Sequence, residues 1–188
     1  MPSWVTRGIR AIYERLLRRE ISGAPTHVAI IQDGNRRYAR ERGAEAKTGH
    51  EAGAETTERV LEWCAELGIE ELTIYAFSTE NFDRPPAERE HLFDLLAEKL
   101  YEFADSDRVH EDEVQIRVLG QTNRVPERVQ DAIAYAQRQT AAYDALTLNV
   151  AIAYGGRAAL LDVTRDLAAD VDAGDLAPEA VDVEAIES

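Results

Sequence analysis

The residues able to do chemistry sit just after four short β-branched runs. Past His27-Val-Ala-Ile-Ile31 comes Gln32-Asp33-Gly34-Asn35-Arg36-Arg37-Tyr38. A glycine after a carboxylate lets the backbone approach a ligand, and the residues that follow begin a helix or turn whose free N–H groups face outward, which makes an anion site. Arg36 and Arg37 add charge-assisted donors suited to phosphate oxygens. Asp33 beside a phosphate makes sense only with a cation such as magnesium between them. An Asp-Gly pair alone is commonly a turn. Here a second exit, Ser78-Thr79-Glu80-Asn81-Phe82-Asp83-Arg84-Pro85, adds Asn81 and Arg84. The other two exits are Gly120-Gln121-Thr122-Asn123 and Tyr154-Gly155-Gly156-Arg157. His50, expected at the head of a helix after Gly49, offers an imidazole to a diphosphate or a proton relay.

The elements that must hold these segments follow from the pattern. Continuous apolar runs at His27–Ile31, Leu72–Phe77, Val114–Leu119 and Leu146–Ala153 suit strands buried on both faces of a parallel sheet. Helical spacing recurs at 52–67, 87–105, 126–141 and 158–169. The alternation predicts an α/β domain, a parallel sheet flanked by helices, with ligands at the carboxyl ends of its strands. Gly68 is read as a helix C-terminal glycine and Pro126 as a first-turn proline. Residues 1–24 are read as an amphipathic N-terminal helix that docks on the body or touches a membrane surface, and 25–188 as the main domain. The acidic tail from Asp170 is expected to hold short helices.

The 188 residues, 45% of them hydrophobic, suffice for one core. A net charge of -15 argues against sequence-independent binding of nucleic acid. Only Lys47 and Lys99 are lysines among 21 basic residues, and so acidic and arginine-rich a surface fits either a high-salt cytoplasm or a GC-rich genome, of which the halophilic, haloarchaeal reading is the one favoured. The single Cys64 cannot form an internal disulfide and is read as buried in a helix. His27 is placed at a strand start, and His91 and His110 on a helix or loop surface. No zinc spacing, phosphate-binding Gly-Lys loop, dinucleotide glycine motif or hydrolase elbow is present. With no membrane-length apolar run or signal sequence, the expected location is cytoplasmic.

Taken in order, the blocks Asp33-Gly-Asn-Arg-Arg-Tyr-Ala39, Gly49-His-x-x-Gly53, Leu72-Thr-Ile-Tyr-Ala-Phe-Ser-Thr-Glu-Asn-Phe-Asp-Arg-Pro85 and Leu146-Thr-Leu-Asn-Val-Ala-Ile-Ala-Tyr-Gly-Gly-Arg157 resemble the cis-prenyltransferases, the family of undecaprenyl and dehydrodolichyl diphosphate synthases. The resemblance spans about residues 26–171. It implies a transferase of isoprenoid biosynthesis that condenses isopentenyl diphosphate with an allylic prenyl diphosphate, geranylgeranyl or farnesyl. The product would be a long cis-polyprenyl diphosphate for a dolichol-type or undecaprenyl lipid glycan carrier. It also implies magnesium, a homodimer and peripheral membrane contact through the product.

Carried over by residue, Asp33 is the catalytic carboxylate and metal ligand. Gly34, Asn35, Arg36 and Arg37 cradle the allylic diphosphate, with Tyr38 and His50 in the same pocket. Ser78, Thr79, Glu80, Asn81 and Arg84 line the reaction site, Asn81 assists proton removal, and Phe82 forms an aromatic wall. Either a general base or the diphosphate takes the proton. Leu92, Phe93, Leu95, Leu96, Leu100 and Phe103 are tunnel lining or core.

Gln32 stands where many members carry methionine. Members continue into Arg-x-Gly-Gly-Glu-x-Arg-x-Ser, which this sequence lacks, so C-terminal strands and part of the isopentenyl diphosphate site are expected to be missing. The alternative reading is a non-catalytic, diphosphate-binding partner subunit.

Overall fold

The computed structural model describes residues 23–187, and the N-terminal helix expected within 1–24 lies outside them except for residues 23 and 24, which are not helical. The elements run β1 (His27–Ile31), α1 (Asn35–Glu41), α2 (Ala46–Leu67), β2 (Glu71–Ser78), a 3-10 turn (Thr79–Asp83) and α3 (Pro86–Ala104). They continue as α4 (Asp107–Glu111), β3 (Val114–Leu119), a 3-10 turn (Thr122–Arg124), α5 (Glu127–Gln139), β4 (Leu146–Tyr154), α6 (Gly156–Ala173), a 3-10 turn (Pro178–Ala180) and α7 (Val183–Glu187). The four strands pair in parallel in the order β1-β2-β4-β3, the flanked parallel sheet that the apolar runs predict.

The central strands carry the core. Leu72 and Phe77 of β2 and Leu148 and Ile152 of β4 are fully buried, which is why both read as near-continuous apolar runs. The two edges are treated differently. Along β3, the N–H groups of Ile116 and Val118 donate to Thr140 Oγ1 and Gln137 Oε1, each at 3.0 Å, so side chains at the end of α5 replace a neighbouring strand. The outer edge of β1 has no such cover among the described residues, and Ile31 is 74% exposed.

Register breaks where β2 and β4 leave the sheet: Tyr75 faces Ala151, but Phe77 already faces Ile152. Ala153 takes a left-handed φ of 52° at full burial. Strain of this kind persists only where surrounding packing holds it, and here it sits at the end of the sheet from which the polar exits project.

Several sequence expectations need correction. The second helix begins at Ala46 rather than 52, and Gly49, expected ahead of the helix, is a helical residue in a tight helix crossing. His50 therefore lies in the second turn rather than at the head. Pro126 is the N-cap of α5 and not a first-turn residue. Helix α6 runs four residues past 169, to the left-handed Gly174 (φ 81°). His91 and His110 are half-buried rather than on the surface: His110 Nδ1 lies 2.7 Å from the Tyr143 hydroxyl, and His91 Nε2 is buried without a hydrogen-bond partner. Gly68 (φ 70°), buried Cys64, His27 at the start of β1 and the short helices of the tail are as expected. Among the described residues no helix is long and apolar enough to cross a membrane.

Candidate active site

The turn after β1 is built around Gly34, whose φ of 89° suits glycine alone without strain. Asp33 Oδ1 accepts the Gly34 N–H at 2.6 Å, and the Arg37 guanidinium folds back to within 3.1 Å of where a Gly34 Cβ would be. Helix α1 then crosses α2 at very short range. A Cβ at Gly49 would overlap the Asn35 carbonyl oxygen, and one at Gly53 would come within 2.7 Å of Asn35 Nδ2. The Gly49-His50-x-x-Gly53 spacing is thus a helix-crossing device: two glycines one turn apart admit Asn35, and His50 beside them turns into the protein.

An open cleft of about 780 Å³ forms at the strand exits. Of the residues singled out in the sequence, Asp33, Gly34, Asn35, Arg36, Arg37, His50, Ser78, Asn81 and Arg84 all line it. Asn81 Oδ1 accepts the Ser78 N–H at 3.0 Å while Ser78 caps the following turn in return. With its carbonyl oxygen engaged, Asn81 has amide N–H groups to offer to the cleft.

Four other residues singled out do not line this cleft. Tyr38 faces a neighbouring depression around Gly49 and Gly53, with the Arg42 guanidinium 3.7 Å from its ring centre. Thr79 packs against Gly155. Glu80 is exposed, and hydrogen bonds from its own backbone N–H and the Ser78 hydroxyl hold its carboxyl below the usual range. Phe82 packs edge-on against Phe77, with centroids 5.1 Å apart, beneath the Arg124 guanidinium at 4.4 Å. It is therefore a wall of the core under the turn rather than of the cleft.

A residue not singled out from sequence organises the charge. Glu88 Oε1 lies 3.1 Å from Arg84 Nη1, 3.2 Å from His50 Nε2 and 3.6 Å from Arg36 Nε, and its side chain is only 12% exposed. One carboxylate thus holds three nitrogen donors from three segments, as a bound anion would. Two signals could have found it: its i+4 spacing from Arg84, and its place in the first turn of α3, where a carboxylate meets the helix dipole. Burial pushes the His50 imidazole below its ordinary 6.5, against the pull of Glu88, so the ring is neutral near pH 7 and its Nε2–H donates to that carboxylate.

Below the cleft, sharing Gln32, Asn35, His50, Ala76 and Leu92 with it, a narrow apolar channel of about 90 Å³ runs between α2 and α3. Leu92, Leu95, Leu96, Leu100 and Phe103 line it; Phe93 turns instead to the core, against Phe77 at 5.1 Å. Gln32, at the junction, donates to Gly53 O at 3.2 Å and to the Thr57 hydroxyl. Among the described residues no cluster of three or more His, Cys, Asp or Glu could by itself hold a metal ion. Among the described residues Asp33 is the one carboxylate lining the cleft, which fits a magnesium ion completed by phosphate oxygens.

A cationic cleft at the exits of a parallel sheet, leading into an apolar channel, is the site geometry of an α/β protein with adjoining polar and apolar compartments. Comparison with known proteins makes the class specific. Residues 31–188 match the family described as "Putative undecaprenyl diphosphate synthase". The chain is 65% identical over 178 residues to a tritrans,polycis-undecaprenyl-diphosphate synthase (geranylgeranyl-diphosphate specific) of Halobacterium salinarum, covering 95% of this chain and 59% of that protein. It is 59% identical over 186 residues to its namesake in Haloarcula marismortui, covering 97% and 61%. Among solved structures, lavandulyl diphosphate synthase from Lavandula x intermedia, in complex with dimethylallyl diphosphate, superposes with a TM-score of 0.79 at 34% identity over 86% of this chain and 69% of that one. A probable undecaprenyl diphosphate synthase of Campylobacter jejuni gives 0.67 at 28%, over 87% and 68%. The chain belongs to the undecaprenyl diphosphate synthase family of cis-prenyltransferases. It spans about three fifths of the length of the two haloarchaeal relatives.

Proposed function

We propose that this chain supplies the allylic half of a cis-prenyltransferase: it binds geranylgeranyl or farnesyl diphosphate with the head in the cleft and the tail in the channel, for elongation with isopentenyl diphosphate to a polyprenyl lipid carrier. The observation that carries this is the junction of an arginine-lined cleft with an apolar channel, sharing Asn35 and His50.

Ionising an allylic C–O bond leaves a full negative charge on the departing diphosphate, so the transition state is favoured by donors already aimed at that charge. Arg36, Arg37 and Arg84 are those donors. Glu88 keeps Arg36, Arg84 and His50 gathered before substrate arrives, which lowers the cost of ordering them on binding. The Asn81 amide donates hydrogen bonds without adding charge, while neutral His50 gives its one N–H to Glu88 and so helps hold that carboxylate in place. Asp33 would hold magnesium together with diphosphate oxygens, and the ion when bound would neutralise leaving-group charge. Asn81 cannot act as a strong base while its oxygen accepts the Ser78 N–H; its part is to orient, and the proton of the condensed cation goes to the diphosphate. The geranylgeranyl preference, the homodimer, the cytoplasmic location and membrane contact through the product belong to the same proposal, supported by the family.

The test is calorimetric titration of the chain with geranylgeranyl diphosphate and magnesium, beside incorporation of labelled isopentenyl diphosphate. Saturable one-site binding, weakened at least about tenfold in Arg36→Ala, is expected. No binding, or binding indifferent to Arg36, would refute the assignment.

A further inference from the structure

In a prenyl diphosphate the reacting carbon, C1, joins the head to the tail. With the head in the cleft and the tail in the channel, C1 lies where the two spaces meet. Five residues line both: Gln32, Asn35, His50, Ala76 and Leu92. As the C1–O bond breaks, its electron pair leaves on the diphosphate and positive charge spreads over C1 and C3 of the allylic unit. The arginines that favour the departing anion act against that positive charge, and the apolar side chains of Ala76 and Leu92 do nothing to relieve it. The junction calls for an electron-rich atom held in place before the charge develops.

Gln32 supplies one. Its Nε2 donates to Gly53 O at 3.2 Å and to the Thr57 hydroxyl oxygen, and that hydroxyl in turn donates to Gly53 O at 3.3 Å. A backbone carbonyl only accepts, which assigns Nε2 rather than Oε1 to the side of the amide that meets α2. Oε1 is left without a protein partner among the described residues. Nor is it sealed away, because the one buried side-chain nitrogen or oxygen without a partner there is His91 Nε2. The amide is thus held by two groups of α2 with its carbonyl oxygen unengaged, at the neck between charged head and apolar tail. The other polar residues of the neck are committed elsewhere. His50 gives its N–H to Glu88, and the Asn35 amide lies over the α2 backbone, its nitrogen and oxygen 2.7 and 3.0 Å from where a Gly53 Cβ would be. Asp33, next in sequence, lines the cleft but not the channel.

We propose that Gln32 is a catalytic residue of the allylic half: its Oε1 carbonyl dipole stabilises the positive charge that develops on C1 and C3 as the diphosphate leaves. This rests on the prenyl diphosphate reading of the cleft above. A glutamine that only ties the exit of β1 to α2 would support every ligand alike, whereas a dipole that meets the cation distinguishes a charged allylic unit from a neutral one.

The experiment titrates the full chain, with magnesium, against two unreactive analogues of geranylgeranyl diphosphate. In the first, sulfur replaces the bridging oxygen and the allylic unit stays neutral. In the second, a protonated amine replaces C3 and carries the charge of the cation. The quantity read is the ratio of the two affinities, from which changes common to both cancel. In Gln32→Leu the ratio should shift at least about fivefold toward the neutral analogue, and in Gln32→Glu at least about fivefold toward the ammonium. Gln32→Met, unbranched and of equal reach, takes the place of leucine if circular dichroism shows that the leucine variant does not fold. A ratio that fails to follow the order Glu, Gln, Leu would overturn the role of Gln32 and leave the reading of the cleft intact. So would a native chain that binds the neutral analogue but not the ammonium. Failure of the native chain to bind either analogue would overturn the reading of the cleft, and the role of Gln32 with it.

Discussion

At the scale of single residues, the site is a set of donors arranged around one carboxylate. Glu88 is that anion, and the arginines it holds are the donors proposed to meet a diphosphate. Among the described residues, the Asp33 carboxylate has only a local backbone partner, Gly34 N–H. Asp33→Ala should therefore leave the melting temperature nearly unchanged while lowering affinity for geranylgeranyl diphosphate in magnesium by at least about tenfold. Equal affinity with and without the carboxylate, in titrations of both proteins, would remove its role.

His50 gives a pH prediction with a definite sign. Its proton affinity is lowered in the folded protein, so on acidification the unfolded chain takes up the proton first. Stability from this group is complete above the ordinary 6.5 and is lost as pH falls below it. Urea midpoints compared at pH 7.5 and 5.5 should fall less in His50→Gln than in the native chain. Parallel falls would place the acid sensitivity elsewhere.

At the scale of elements, the crossing of α1 and α2 matters most, because it sets Asn35, Arg36 and His50 in common register. Gly49 is the point of closest approach. Gly49→Ala would gain helix propensity of about 1 kcal/mol in an isolated helix, but the methyl group has no room and the two helices must separate. A net loss of about 1–3 kcal/mol in urea unfolding is expected, together with weakened prenyl diphosphate binding. A stabilised variant would show that the crossing relaxes freely. Apolar spacing made the helix legible in the sequence, but its true start was not, because glycine lowers helix propensity and only the partner helix explains why it is tolerated here.

At the scale of the whole molecule, a surface charge of -15 surrounds a cleft that gathers arginines. Among the described residues several ion pairs link elements across the surface, such as Arg128 with Glu90 and Asp94, but acidic groups far outnumber their partners. Raising potassium chloride from about 0.1 M to about 1 M shortens the Debye length from about 10 Å to about 3 Å, which relieves repulsion among carboxylates more than it weakens close pairs. The melting temperature should rise over that range, as followed by circular dichroism. A flat or falling curve would separate the acidic composition from salt adaptation.

The sequence by itself determined the strands, most of the four long helices, the sheet type and the segments from which the cleft is built, but not the short helix α4. Each of these follows from local order: apolar runs, helical spacing, glycine after carboxylate, and polar exits following strands. The tertiary structure decided which charges meet. Glu88 reaches His50 across 38 positions and Lys99 reaches Glu58 across 41, and neither pairing is encoded in any periodicity. It also decided that Phe93 belongs to the core while Leu92 and Leu96 on the same helix line the channel. Periodicity gives the face a side chain occupies. Only the packing of α2 against α3 says whether that face meets core, channel or a charge on the other helix.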